Sequence, residues 1–199
     1  MKIEKFLPSK PVSSWQNINP DRIQYETLNF TFSGNLSVRG NNSNLVSIFK
    51  TSGGYSWDNQ AYTAQGYSAP LTLEFNKNCA YFDNGRSYAM IGFNADPTAN
   101  ASYDTLDYCA YPYRYDVYSV HHNGSQVSFT GQFDVNKKFY LVYDGTNIKH
   151  YNGSTLLYTS PSYTVGTVYI DSSFYAPVPN FGGFSNIRLT RNIWNGSSY

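Results

Sequence analysis

The glutamates of this chain, Glu4, Glu26 and Glu74, stand far apart. Glycosidic hydrolysis needs two carboxyl groups about 5–10 Å apart across the bond. Residues i and i+2 of a strand share a face about 7 Å apart, so a Glu-x-Asp-x-Glu pattern would be the expected form. It is absent, though two aspartates, such as Asp104 and Asp107, could still converge. Neither a Gly-x-Ser-x-Gly elbow nor a phosphate loop occurs. His121 and His122 are adjacent, so in a strand they point to opposite faces. With His150 they offer no usual metal spacing and read as packed or exposed histidines. Asp96, Asn100, Asp104 and Asp107 are weak candidates for holding calcium, which takes six to eight oxygens. The residue types do not argue for an enzyme, and they leave a bound Ca2+ as the cofactor to test.

The aromatic residues are more distinctive. Tyr108, Tyr111, Tyr113, Tyr115 and Tyr118 fall together, with Pro112, Arg114 and Asp116 among them. Tyr108 alternates with Ala110 and is expected to face a core. Tyr111, Tyr113 and Tyr115 share the other parity and are expected to face solvent. A tyrosine presents a flat apolar face and a polar tip. That suits a sugar face, and it suits a protein partner or ordinary sheet packing equally. Trp57, in Gly-Tyr-Ser-Trp-Asp, joins Tyr111, Tyr113 and Tyr115 as the candidate carbohydrate-binding set. Stacking aromatics also serve single-stranded nucleic acids, but those sites add a basic groove. Here 14 basic residues face 13 acidic ones, a net charge of +1, which argues against nucleic acid.

These side chains must be carried by strands. The chain has 199 residues, with 20 Tyr, 13 Phe, 21 Asn and 23 Ser, and 14% of it is charged, against about 25% in typical domains. Good helix formers are scarce, while Tyr, Phe, Thr and Val fit pleated, half-buried surfaces. Period-two alternation recurs at Leu28/Phe30/Phe32, Leu71/Leu73/Phe75, Ala89/Ile91/Phe93, Leu106/Tyr108/Ala110 and Phe139/Leu141/Tyr143. Such alternation marks strands with one face on a core. Asn84-Gly85, Asn123-Gly124, Asp144-Gly145 and Asn152-Gly153 suit tight hairpins. The pattern predicts an all-β, two-sheet antiparallel sandwich over residues 23–199. Long loops are expected at 51–69 and 94–105. Residues 1–22, with Pro8, Pro11 and Pro20, read as an extended arm that could attach to a neighbour. The start lacks an apolar stretch of signal-peptide length, and no apolar run approaches the ~20 residues of a spanning helix. Cys79 and Cys109 could pair, though two thiols in a chain without a signal-like start are more often free.

Several segments together resemble the concanavalin-like, laminin-G-like jelly-roll domains of tail-fibre, tail-tip and other virion proteins of tailed bacteriophages. They are Gly54-Tyr-Ser-Trp-Asp-Asn-Gln-Ala-Tyr62 with Gly66-Tyr67, and Ala89-Met-Ile-Gly-Phe-Asn-Ala-Asp-Pro97 running on through Ala101-Ser-Tyr-Asp-Thr-Leu-Asp-Tyr108. Val142-Tyr-Asp-Gly-Thr-Asn-Ile-Lys149 with Tyr151-Asn-Gly153 follows, then Tyr169-Ile-Asp-Ser-Ser-Phe-Tyr175 and Gly183-Phe-Ser-Asn-Ile-Arg188. The likeness covers roughly residues 45–190. It implies a jelly roll of two curved sheets, with Trp57, Asp58, Asp96, Tyr103, Asp107 and Asp171 at matching positions in structural roles. Asp96-Pro97 is expected to start a turn, and Asp171-Ser172-Ser173 to offer side-chain oxygens to loop amides.

On this reading the chain is a non-enzymatic virion surface protein that contacts host or environmental glycans. It would be present in multiple copies, made in the host cytoplasm, and joined to other virion proteins through residues 1–22. The alternatives are a purely structural decoration or cement protein docking through that arm, and, last, a glycan hydrolase.

Overall fold

A computed structural model describes residues 23–78, 88–113, 117–131, 133–176 and 182–199. The arm expected at 1–22, the Asn84-Gly85 turn, Cys79 and Tyr115 lie outside the described residues.

Strands follow one another almost without interruption: β1 (Phe30–Phe32), β2 (Leu36–Arg39), β3 (Val46–Lys50), β4 (Asn59–Thr63), β5 (Leu71–Asn78), β6 (Ala89–Asn94), β7 (Tyr108–Pro112), β8 (Tyr118–His122), β9 (Ser125–Thr130), β10 (Phe139–Tyr143), β11 (Ile148–Asn152), β12 (Thr155–Thr159), β13 (Tyr169–Phe174) and β14 (Gly183–Thr190). One short 3₁₀ turn, Tyr103–Thr105, precedes β7. Among the described residues the strands form two seven-stranded sheets. The front sheet runs β1-β4-β13-β6-β7-β8-β9, the back sheet β12-β11-β10-β5-β14-β3-β2. Neighbours that are distant in sequence, such as β4 beside β13 and β5 beside β14, make the crossovers of a jelly roll.

The core lies between the sheets and follows the predicted alternation. Leu71, Leu73 and Phe75 from β5, Ile91 and Phe93 from β6, and Phe139 and Leu141 from β10 are fully enclosed. Each such side chain contributes roughly 1.5–3 kcal/mol over leaving it exposed. Phe139 lies parallel to Phe75 and to Tyr118, at 5.4 and 5.6 Å between ring centroids, joining the two sheets. Asn123-Gly124 closes the β8–β9 hairpin with positive φ at both residues (46° and 76°), as that turn requires. Asp144 Oδ1 accepts from the amides of Thr146 and Asn147 and shapes the β10–β11 turn.

Four expectations change. Phe32 keeps its parity but protrudes, 47% exposed, at the end of edge strand β1. Leu106 does not share the core with Tyr108; the 3₁₀ turn carries it to the opposite side of the front sheet, against Met90 and Cys109. The loop expected at 51–69 contains β4, a polar strand that pairs with both β1 and β13. Asp171-Ser172-Ser173 is not a loop-capping segment but the middle of β13.

Residues 25–26 and 194–199 pack on the back sheet's outer face. Glu26 N–H donates to Leu189 O, and Trp194 stacks on Tyr140 at 4.4 Å. Beneath them Glu74 is fully buried, accepting from the Tyr25 and Tyr199 hydroxyls and paired with Lys138. Isolated burial of a carboxylate would be costly; two donors and a cation offset it.

Candidate functional site

The outer face of the front sheet gathers most of the candidate residues. Register fixes its rows. Tyr62, Asp171, Gly92, Cys109, His121 and Gln126 lie side by side across six strands. A Cβ at Gly92 would sit 2.0 Å from Tyr108 O and 2.5 Å from the Cys109 Cα, so only glycine fits there. The segment from Ala95 to Leu106 lies over one half of this face. Gln60 Nε2 donates to Pro97 O at 2.8 Å, and the Ser173 hydroxyl donates to Ala101 O at 2.8 Å. Asp107 Oδ2 accepts from Ala95 N–H (2.8 Å) and from the Tyr163 hydroxyl (2.7 Å).

Beside this covered half is an aromatic layer. The Trp57 ring is 4.9 Å from Tyr103, 5.4 Å from Tyr175 and 6.0 Å from Tyr111. Tyr111 continues to Tyr113 (5.2 Å) and to His121 (5.7 Å). Burial pushes His121 below its ordinary pKa, so it is a neutral ring at pH 7. The layer ends at an open groove of about 380 Å³ lined by Tyr111, Tyr113, Val117, Ser119, Gln126 and Phe129. Phe129 is 59% exposed. The groove therefore pairs flat apolar faces with a hydroxyl and an amide, the mix that fixes the orientation of a small polar ligand.

The loop bearing Trp57 is held from inside. Lys50 closes β3 at a core-facing position and is fully buried. Its ammonium donates to Tyr175 O (2.8 Å), Gly54 O (3.0 Å), Ser56 O (3.3 Å) and Asp58 Oδ1 (3.3 Å). Hydrogen bonding from Ser56, then the Lys50 ammonium, holds the exposed Asp58 carboxyl below its ordinary pKa.

Burial also displaces the pKa of an acid and a base that bear on charge near neutral pH. Burial pushes Asp171 up to about 7, although Asn94 Nδ2 (2.8 Å), Gln60 Nε2 (2.9 Å) and its neighbour's amide, Ser172 N–H (2.7 Å), all donate to it. His150, enclosed between the sheets, is pushed down to about 3 by burial. Its Nδ1 is 2.6 Å from the Tyr118 hydroxyl, and its Nε2 has no partner.

The structure thus brings Trp57, Tyr111 and Tyr113 into one layer, half-buried, with Tyr111 meeting Trp57 edge-on and Tyr113 at a tilt, rather than simply facing solvent. Tyr115 lies outside the described residues. His121 and His122 do face opposite ways, His121 into this layer and His122 flat against Tyr108 at 4.3 Å. Asp96-Pro97 opens a turn, closed by Ala99 N–H on Asp96 O. Cys109 is free and buried. Among the described residues Asp96, Asp104 and Asp107 are not gathered into one cluster. Among the described residues no group of three or more His, Cys, Asp or Glu could hold a metal, and Asp107 is already engaged. Gln126 and Phe129 were not foreseen. The β8–β9 register shifts between Val120 and His121, pairing Ser119 with Phe129 and His121 with Gln126. The bulge puts both side chains on the outer face, where strict alternation separates them.

The fold is a concanavalin A-like jelly roll. Among solved structures, the SPRY domain of human HERC1 covers 79% of this chain and 96% of its own length, at TM-score 0.53 and 17% identity. The exoplasmic/lumenal domain of VIP36 in its Ca2+/Man3GlcNAc-bound form covers 83% and 84%, at 0.55 and 10%. The carbohydrate recognition domain of Emp47p covers 81% and 87%, at 0.50 and 12%. At these identities the likeness establishes the fold alone. No protein-family model and no curated protein matches the sequence.

Proposed function

We propose that this chain is a non-catalytic glycan-contacting domain that uses the outer face of its front sheet. The observation that carries the reading is the open groove lined by the rings of Tyr111, Tyr113 and Phe129 beside Ser119 and Gln126. A sugar ring presents an apolar C–H face and equatorial hydroxyls, which match rings and polar tips in turn. The sugar-bound form of VIP36 and the carbohydrate recognition domain of Emp47p support it as examples of this fold in that role. The two deeply placed carboxylates described above do not line the groove. Asp171 lies among amide donors beneath the loop, and Glu74 belongs to the other sheet, so neither provides an acid/base pair at this site.

The sequence resemblance motivates the finer proposal. The domain sits on a bacteriophage virion, as a tail-fibre, head-fibre or decoration protein in multiple copies. Residues 1–22 attach it to other virion proteins, and its glycan lies on the bacterial surface. Repetition on a particle would turn weak single sites into avid binding. The test is a multivalent glycan array carrying bacterial polysaccharides, run with the native protein and with the Tyr111→Ala/Phe129→Ala variant. Reproducible hits that vanish in the variant, whose fold is checked by circular dichroism, are expected. Hits that survive the variant would remove the groove as the site. No hits at all would favour a decoration protein without a ligand.

A further inference from the structure

We propose that the oxygen ring around the Lys50 ammonium is a cation site whose cation is supplied by the chain itself, and that Lys50 is the positioning residue for Trp57. Loops that present a ligand-contacting ring need a fixed conformation, and a bound cation is one common way to supply it. Here three backbone carbonyls, Gly54 O, Ser56 O and Tyr175 O, and one carboxylate oxygen, Asp58 Oδ1, converge on a single point at 2.8–3.3 Å. That point holds Lys50 Nζ. The ammonium and its acceptors come from both walls of the sandwich and the loop between them. Lys50 rises from β3 of the back sheet, Tyr175 follows β13 of the front sheet, and Gly54 to Asp58 is the loop between β3 and β4. A carbonyl cluster without a positive centre would be self-repelling, because the negative ends of the dipoles meet. An aliphatic side chain at position 50 would fill the space and leave that repulsion standing.

The consequence is local. Trp57 lies between Ser56 and Asp58, two of the ligating residues, and its ring touches Tyr103, Tyr111 and Tyr175. The backbone of Tyr175 is held by the same ammonium. Lys50 therefore fixes both the loop and the ring on which Trp57 rests, without touching any ligand in the groove. For glycan binding this rests on the function proposed above, and it makes that binding independent of divalent cations. For loop order it stands on the geometry alone.

The experiment labels the full chain with 5-fluorotryptophan and follows the Trp57 and Trp194 resonances by 19F NMR, each assigned by substitution to Phe. Trp194 packs on the back sheet, away from this loop, and reports the rest of the fold. In Lys50→Met, which keeps the stem and removes the charge, the Trp57 resonance is expected to move to the solvent-exposed position while Trp194 stays. In Lys50→Ala, propylammonium, which replaces the missing atoms and charge, is expected to return the Trp57 resonance towards its native position, and 1-propanol is not. Limited proteolysis within residues 51–58 should rise and fall in step. A native Trp57 resonance in Lys50→Met would overturn the proposal, as would equal rescue by propanol. Joint movement of Trp194 in both variants, unrelieved by propylammonium, would also overturn it, by making Lys50 a global core residue. None of these readouts involves a sugar, so they stand whatever the glycan array shows. With a glycan in hand, a chelator should leave wild-type binding unchanged.

Discussion

Asp171 and His150 are buried far from their ordinary protonation behaviour, in opposite senses, and their effects on stability should cancel. Asp171 is raised from 3.8 to about 7. A raised folded pKa means that its contribution is fully present below pH 3.8 and is lost as pH rises to 7. His150 is lowered from 6.5 to about 3. Its contribution is fully present above pH 6.5 and is lost as pH falls towards 3. Between about pH 4 and 6.5 the folded state therefore holds one extra proton at Asp171 and lacks one at His150. Each alone would tilt stability by roughly 1.4 kcal/mol per pH unit, on the order of 3 kcal/mol across the window. Urea unfolding at pH 4.5, 5.5 and 6.5 would read this in wild type, Asp171→Asn, His150→Gln and the double variant. The variant-minus-wild-type difference is the quantity to compare, because other titrating groups, His121 included, then drop out. Relative to wild type, Asp171→Asn should gain stability with rising pH, His150→Gln should lose it, and the double variant should be level. The absolute cost of each substitution does not enter, since the slope is the readout. A level Asp171→Asn difference would refute the reasoning for that group, by showing that its amide donors outweigh burial and keep it ionised. A level His150→Gln difference would do the same for the histidine.

Three further outcomes follow from the packing. Gly92→Ala forces a Cβ against the Tyr108 carbonyl and should lower the unfolding free energy by at least the ~1–3 kcal/mol usual for overpacking, read as a lower urea midpoint at unchanged slope. Tyr118→Phe leaves His150 Nδ1 without its partner inside the sandwich and should cost about 1–3 kcal/mol by the same measurement. Burial raises the Cys109 thiol above its ordinary pKa, so in a Cys79→Ser background Ellman's reagent at pH 8 should modify it only at the rate of unfolding. Prompt labelling in native buffer would contradict its burial.

The sheet-forming segments were legible because one-face burial leaves a period-two trace. Leu71/Leu73/Phe75 and Phe139/Leu141/Tyr143 announce core strands, and Asn123-Gly124 announces its hairpin, since both residues must take positive φ. The strand β4 was not legible. Asn59, Gln60 and Thr63 are polar yet buried: Gln60 lies on the outer face under a loop and donates to Pro97 O, while Asn59 and Thr63, on the other parity, accept from the amides of Asn35 and Ile170. Nothing local in Asn-Gln-Ala-Tyr-Thr reports that cover. Asp171 was misplaced for the same reason: an aspartate in a Ser-rich run reads as a turn, and its amide partners, Gln60 and Asn94, come from 111 and 77 residues away.

The candidate site divides along the same line. Residue type and parity by themselves put Tyr111, with Tyr113 just past the strand's end, on the non-core face, because adjacent side chains of a strand must alternate. They also marked Trp57 as a loop aromatic. Only the tertiary structure decided that Trp57 meets them, since that requires β3 to deliver Lys50 to the carbonyls of Gly54, Ser56 and Tyr175. Only the tertiary structure added Phe129 and Gln126 together, because a bulge resets alternation and a bulge is a property of two paired strands, not of either one.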